Sequence, residues 1–431
     1  MEQYAATADA VLTPENRFLA AFATGTNVFL TGMGGTGKST LLQKALDLKL
    51  RCMDRLCGTE TRVVLTAPTG VAALNIGGCT LHRFFALGSG PDVGESCDEF
   101  MMRWSTSRPY TFARTRIKNC DTLVIDEISM LPGRVLDMID YLCRKLRDGD
   151  KPFGGIHMVV IGDFLQLPPV RLSETENYDW AFKTEAWKNG GFTNINLVEP
   201  RRQSEPNFIR ALKEFREGRC FGANAELFQN RIVNFPDSSL TRLCTHNAQV
   251  DKWNACMLES LSGDNRLLVG QYNNGDDYQI GYLRKFLLTP ENLNLKPKAM
   301  VMFTANHPEQ KYFNGMTGIV EEVGEDEIVI SPVNGGPAIS VERHKWYYDA
   351  RLKAGATFEQ FPLRLAWAMT IHKAQGVSLD SAYIDIRAAR EPGQAYVAVS
   401  RVRTLGGLFF KDWFKGIHVS IDAIEFYRNL L

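Results

Sequence analysis

Short apolar runs alternate along this chain with segments whose apolar positions recur at three- and four-residue spacing. That is the pattern of buried parallel strands joined by amphipathic helices. In the first half the runs are Val28–Thr31, Arg62–Ala67, Thr122–Ile125 and His157–Ile161. Helical spacing follows the first of them at Leu41, Leu42, Ala45 and Leu46. Ahead of it, Leu12 to Ala21 reads as a helix, with Thr13 at the N-cap and Pro14 at the first helical position. Strands in this order predict a doubly wound parallel sheet, whose ligands gather at the strands' carboxyl ends. In the second half Leu240–Asn247, Ala299–Phe303 and Ala382–Ile386 predict another α/β domain, and Arg202 to Arg219 an amphipathic helix. Between Gly315 and Phe361 the period changes to two, with glycine turns between the runs. A small antiparallel β-barrel inserted into the second domain, at about 304–362, accounts for it. The stretch from Ala86 to Asn119 shows little periodicity and reads as an insertion on the first domain.

The run at Val28 leads into Gly32-Met33-Gly34-Gly35-Thr36-Gly37-Lys38-Ser39-Thr40. Missing Cβ atoms let successive backbone N–H groups curl around phosphate oxygens, and the new helix turns its positive end toward the same place. The loop from Gly34 through Thr36 and Gly37 to Thr40 is therefore a candidate phosphate cradle, with Lys38 reaching the β/γ-phosphates and Ser39 holding Mg²⁺. Asn16, just upstream, is placed where it could meet a nucleotide base. Thr122–Ile125 runs into the paired acids Asp126 and Glu127. Downstream of a phosphate loop, Asp126 suits Mg²⁺ binding through water, and Glu127 suits orienting and deprotonating an attacking water. Gln166, just past His157–Ile161, could touch a γ-phosphate.

Composition narrows the class without naming a ligand. A 431-residue chain exceeds one ordinary core. Its net charge is zero, so a polyanionic partner would need local basic patches rather than a global field. Nine cysteines without a Cys-x-x-Cys pair read as reduced thiols of an intracellular protein. No segment reads as a membrane span, and Met1 to Ala10 does not read as a signal peptide.

By their order and wording, these motifs resemble those of Pif-family DNA helicases, in the 5′-to-3′ branch of helicase superfamily one. The matching segments are Gly32–Thr40, Ala67–Ala73 with Thr80-Leu81-His82, Asp126–Met130 and Gly162–Pro169, and Lys151–Gly155 in the segment that separates the family from RecD-like relatives. Pro200–Ser204, Leu365–Gly376 and Tyr396–Arg401 continue the series nearly to the end of the chain.

The resemblance implies two RecA-like domains, at 1–199 and 200–431, with a barrel of the Src-homology-three type in the second. It implies an ATP- and Mg²⁺-dependent helicase that moves 5′ to 3′ on single-stranded DNA as a monomer. Tailed or forked duplex and G-quadruplex DNA would be its substrates, in replication, repair or telomere maintenance. Arg202 and Arg401 become candidates for cations supplied across the cleft to the γ-phosphate, and Gly376 joins the nucleotide site. Thr69, His82, Phe84, Thr370 and His372 become candidates for the DNA track, although phenylalanines such as Phe84 are more often core. A strand-separating pin is expected from the 86–119 insertion. One departure concerns Asn16, where the family usually carries a glutamine that reads adenine. The lack of long extensions reads as a bare helicase core. Two other classes stay open at this stage: a P-loop ATPase that remodels RNA or protein, and an ATP-dependent DNA-binding module with little unwinding. Its compartment would be cytoplasm or nucleoid in a prokaryote or virus, nucleus or mitochondrion in a eukaryote.

Overall fold

Six parallel strands carry the first half of the computed structural model: β1 (Val28–Gly32), β2 (Val63–Ala67), β3 (Cys79–Thr80), β4 (Thr122–Ile125), β5 (His157–Ile161) and β6 (Thr193–Leu197). Their order is β3-β2-β4-β5-β1-β6. The structure describes residues 13–56, 62–88, 90–92, 94–106, 110–171, 176–219, 221–234, 240–309, 311–333, 335–349, 353–412 and 416–430. Met1 to Ala10 lies outside them.

The four long apolar runs all became strands, and β1, β4 and β5 are buried on both faces. Two edge strands had no such signature. β3 is two residues long, and β6 carries polar Asn194 and Asn196 on its open side.

The 86–119 insertion is more regular than its sequence suggests. Ser96 and Glu99 form a reciprocal capping box that starts a helix at Cys97–Ser105, and a second helix spans Tyr110–Lys118. Phe100, Trp104, Ala113 and Ile117 are buried in the first domain's core. Its arginines are largely committed. Arg103 pairs with Glu95 at 2.9 Å, and Arg116 donates to the carbonyls of Arg83 and Phe84. Arg108 lies outside the described residues.

A second parallel sheet orders Ala368–Thr370, Thr241–Cys244, Ala382–Asp385 and Leu408–Asp412. The expected third strand of this sheet, at Ala299–Phe303, went elsewhere. Met300–Phe303 pairs antiparallel with Thr317–Val323 and Leu363–Leu365, in a five-stranded sheet completed by Glu327–Pro332 and Ile339–Glu342. A fully buried run reads the same in either kind of sheet, so the sequence pattern could not separate them. A three-stranded antiparallel sheet joins His344–Asp349, Ala354–Gln360 and Gln271–Asn273. Arg266–Val269 also pairs antiparallel with Asn292–Leu295, so the antiparallel strands run from Arg266 to Leu365, beyond the expected 304–362. They also reach the first domain: the Arg83 guanidinium lies 3.3 Å from the Tyr348 ring centroid and donates to the Tyr348 carbonyl.

The division at 199/200 fails at the other end of the chain. The last helix, Ile421–Leu430, leaves the second domain and docks on the first, where Ala423 and Tyr427 join the core. Phe426 stacks on Phe182 at 4.5 Å and meets Phe164 edge-on at 5.3 Å. Lys183 pairs with Asp422 at 2.7 Å. Removing this half-buried ring by Phe426→Ala is expected to cost about 2 kcal/mol. Urea unfolding followed by the fluorescence of neighbouring Trp180 and Trp187 would read it, and an unchanged midpoint would mean that the helix contributes nothing to the first domain.

Candidate active site at the domain interface

The loop after β1 is built by its glycines. Gly35 and Gly37 take φ of +87° and +86°, which side-chain-bearing residues rarely adopt. Added Cβ atoms there would lie 2.7 Å from the Arg202 Cβ and 2.9 Å from the Arg201 Cδ. At Gly34 the nearest atom would be an Arg401 guanidinium nitrogen, at 3.0 Å. The loop is thus lined from the opposite side by the segment at 201–203 and by the residues around 400. Arg201 N–H and Arg202 N–H both donate to the Gly35 carbonyl, and the Gly34 N–H donates to the Tyr396 hydroxyl at 3.0 Å.

Lys38 donates to the carbonyls of Gly32 at 2.7 Å and Met33 at 3.0 Å. Burial lowers its pKa, against an upward pull from Asp163, Glu127 and Asp126. Burial raises the carboxyls of Asp126, to about 7, and of Glu127, and the Glu127 charge pushes Asp126 further up. Glu127 holds a left-handed φ of 53°, and its N–H donates to the Asp126 carboxylate at 2.9 Å. A non-glycine residue in this region marks stored backbone strain.

Both predicted arginines reach this cleft. Arg401 is 1% exposed and donates to the Val397 carbonyl and the Ser400 hydroxyl, each at 2.7 Å. Arg202 donates to the Ser378 hydroxyl and the Ser400 carbonyl; burial and then Arg401 push its pKa down to about 9. Gln166 is buried and donates to the Asp163 carboxylate at 3.3 Å. Ser39 and Thr40 are exposed at the start of the loop's helix, as is Asn16 in the preceding helix.

The remaining predicted residues divide. Thr69 and Thr370 occupy matching places, one in each domain, as N-caps of the short helices Gly70–Asn75 and Ile371–Ala374. His82 is half-buried, which lowers its imidazole pKa, and His372 is exposed. Phe84 is 4% exposed and packs edge-on against Phe85 at 4.9 Å. It belongs to the core, and a base could not stack on it as it stands. Gly376 faces Asn75 of the first domain, whose side-chain amide nitrogen an added Cβ would meet at 3.5 Å.

Sequence reasoning gave no role to Gln375, Tyr396, Asp163 or Arg216. The Gln375 amide is buried beside Glu127, and its polar contact pulls that carboxyl's pKa down against the effect of burial. The glycine cradle, the crowded acids and this amide fit a polyphosphate carrying a divalent cation. Ser39 and Asp126 are the protein ligands available to that cation.

The chain was compared with known proteins. Residues 18–225 match the family model of the PIF1-like helicase. The chain is 35% identical to the ATP-dependent DNA helicase PIF1 of Xenopus laevis over 97% of its own length, and spans 64% of that protein. It is 33% identical to the ATP-dependent DNA helicase Pif1 of Bdellovibrio bacteriovorus, over 97% of its own length and 92% of the relative's. Among solved structures, Bacteroides sp. Pif1 in complex with ADP-AlF4 superposes with a TM-score of 0.82 at 29% identity, covering 98% of this chain and 97% of that one. Bacteroides Pif1 bound to ssDNA superposes at 0.64, with 30% identity and the same coverage of both chains.

The raised carboxyls give the site a pH signature. Folded Asp126, near 7, keeps a proton that the unfolded chain releases at about 3.8, so the native state binds more protons between those values and stability falls as pH rises through them. Without metal or nucleotide, Asp126→Asn is expected to stabilise the protein by roughly 1–3 kcal/mol at pH 7.5 and to flatten that slope. Thermal melts from pH 5 to 7.5 test this; a variant less stable than the parent would contradict it.

Proposed function

We infer the activity from one premise, that the chain belongs to the PIF1-like helicase family. It is an ATP- and Mg²⁺-dependent DNA helicase of two RecA-like domains, moving 5′ to 3′ on single-stranded DNA and unwinding tailed or forked duplex. The observation that carries this reading is the two-sided phosphate loop, with Arg202 and Arg401 of the second domain against Gly35 and Gly34 of the first. A site divided in this way couples hydrolysis to cleft movement, which a nucleotide-binding module with one complete half-site would not need.

The roles follow from position. Lys38 exchanges its two carbonyl partners for the β/γ-phosphates, and Gln166 senses the γ-phosphate. Glu127 takes the proton from the attacking water, whose approach Gln375 helps to define. Arg401 and Arg202 face the charge that develops on the transferred phosphoryl group. Ser39 and Asp126 would hold Mg²⁺, which would neutralise part of the same charge. Asn16 stands at the base-binding end of the site.

DNA is drawn along the groove between the domains. The helix N-termini capped by Thr69 and Thr370 offer it one amide cluster from each domain. Near the first of them opens a cavity of about 530 Å³, lined by Asn75, Asn306, Asn314, Lys345 and Trp346 among others. Amides, a cation and an aromatic face are the groups a single strand needs. The strand-separating pin comes from the 86–119 insertion, whose Met102 and Phe112 are more than two-thirds exposed, at 71% and 72%. Among the described residues no helix is long and apolar enough to cross a membrane.

Matched duplexes with 5′ or 3′ single-stranded tails, given ATP and Mg²⁺, test the reading. Unwinding is expected from the 5′ tail alone and to vanish in Lys38→Ala. DNA-stimulated hydrolysis is expected to fall by about 10³-fold or more in Arg401→Ala. Unwinding from the 3′ tail, or a wild-type rate in Arg401→Ala, would refute the polarity or the role of that arginine respectively.

A further inference from the structure

Asp163 is the most enclosed charge near the phosphate loop. It is 0% exposed, at the end of β5, and receives both prongs of the Arg216 guanidinium, at 3.0 Å and 2.6 Å. Arg216 comes from the second domain, at the end of the helix Pro206–Arg216. The same carboxylate accepts the Leu165 N–H at 3.1 Å and the Gln166 side-chain amide at 3.3 Å. Tyr427, from the last helix, adds a hydroxyl at 3.4 Å and spans to the Thr31 hydroxyl of β1 at 2.6 Å.

The charge matters because of its neighbour. Asp163 exerts the largest upward pull on Lys38, ahead of Glu127 and Asp126. Burial alone would raise the Asp163 carboxyl, but the Arg216 charge and its two hydrogen bonds hold it below the ordinary range. Asp163 is therefore ionised and fully paired. Lys38 has only the Gly32 and Met33 carbonyls to surrender to a phosphate. Without Arg216, Asp163 would compete for that ammonium in a poorly solvated site.

We propose that Arg216 is a positioning residue for the phosphate site, acting through Asp163 from across the cleft. Its charge frees Lys38 for the phosphates, and its two-pronged geometry fixes the carboxylate that holds the Gln166 amide. The assignment rests on the reading of the site as an ATPase. It makes the γ-phosphate sensor of one domain depend on a side chain of the other.

The two effects separate kinetically. Arg216→Met leaves Lys38 as the cation that favours an ionised Asp163, so the KM for ATP is expected to rise at least about tenfold and kcat to fall by a similar factor or more, with single-stranded DNA saturating. In Asp163→Asn with Arg216→Met both charges are gone and Lys38 is released. The KM for ATP is then expected to return to within about threefold of the parent. A residue that merely closes the cleft would not be rescued by a second substitution. Arg216→Lys keeps the charge without the fork; its KM is expected near the parent's with kcat at least about tenfold lower, and it carries the test if Arg216→Met does not fold. Parental kcat and KM in Arg216→Met, a double variant as impaired as Arg216→Met, or parental kcat in Arg216→Lys would each overturn the assignment. Lack of hydrolysis by the unmodified protein would sink the functional reading and this one together. Normal hydrolysis with an indifferent Arg216→Met removes this one alone.

Discussion

A phosphate loop is a ring of backbone donors pointing inward, and much of this structure arranges what those donors and their glycines face. Gly34 N–H meets the Tyr396 hydroxyl, and the Gly35 carbonyl accepts from Arg201 and Arg202, so polar groups of the second domain already lie against the loop. That proximity is possible only because three loop positions lack side chains. A single Cβ at Gly35 would meet the Arg202 side chain at 2.7 Å. The glycines thus serve two surfaces at once, the phosphate side and the domain interface.

Electrostatics make the arrangement conditional. Lys38, Asp126, Glu127, Asp163, Arg202, Arg216 and Arg401 share one interface, and burial disfavours the charged form of most of them. Asp163 and Arg216 resolve the cost by pairing. Asp126 and Glu127 lie side by side, each raised by burial. Arg202 and Arg401 have hydrogen bonds to neutral groups without a carboxylate of their own. The unbalanced members are those assigned to ATP and Mg²⁺, and the balanced pair is structural support beneath them.

Much of this was legible in the chain because the motifs are local. A strand, a glycine turn and a helix start within a few residues of each other define the phosphate loop, and Asp126, Glu127 and Gln166 each follow a buried strand directly. What escaped was set by distance. Arg216 is one basic residue on a helix with several, and only the fold brings it to Asp163, 53 positions away in sequence. Phe84 fails as a stacking residue for the same reason, because the fold buries it and brings the Arg116 guanidinium over its ring from 32 positions away. Met300–Phe303 could be assigned to the wrong sheet since a buried apolar run carries no mark of its partner's direction. The 86–119 insertion looked irregular because each of its two helices is only nine residues long, too short for the period to stand out.

The last helix changes how the molecule is hinged. The chain passes between the domains near residue 200 and passes back before Ile421, where Phe426 and Tyr427 are set in the first domain's aromatic core. Two bodies joined by one tether can drift and tumble; joined at two separated points, they are steered toward rotation about the line between those points. Relative motion of the two sheets is then confined to one swing rather than many.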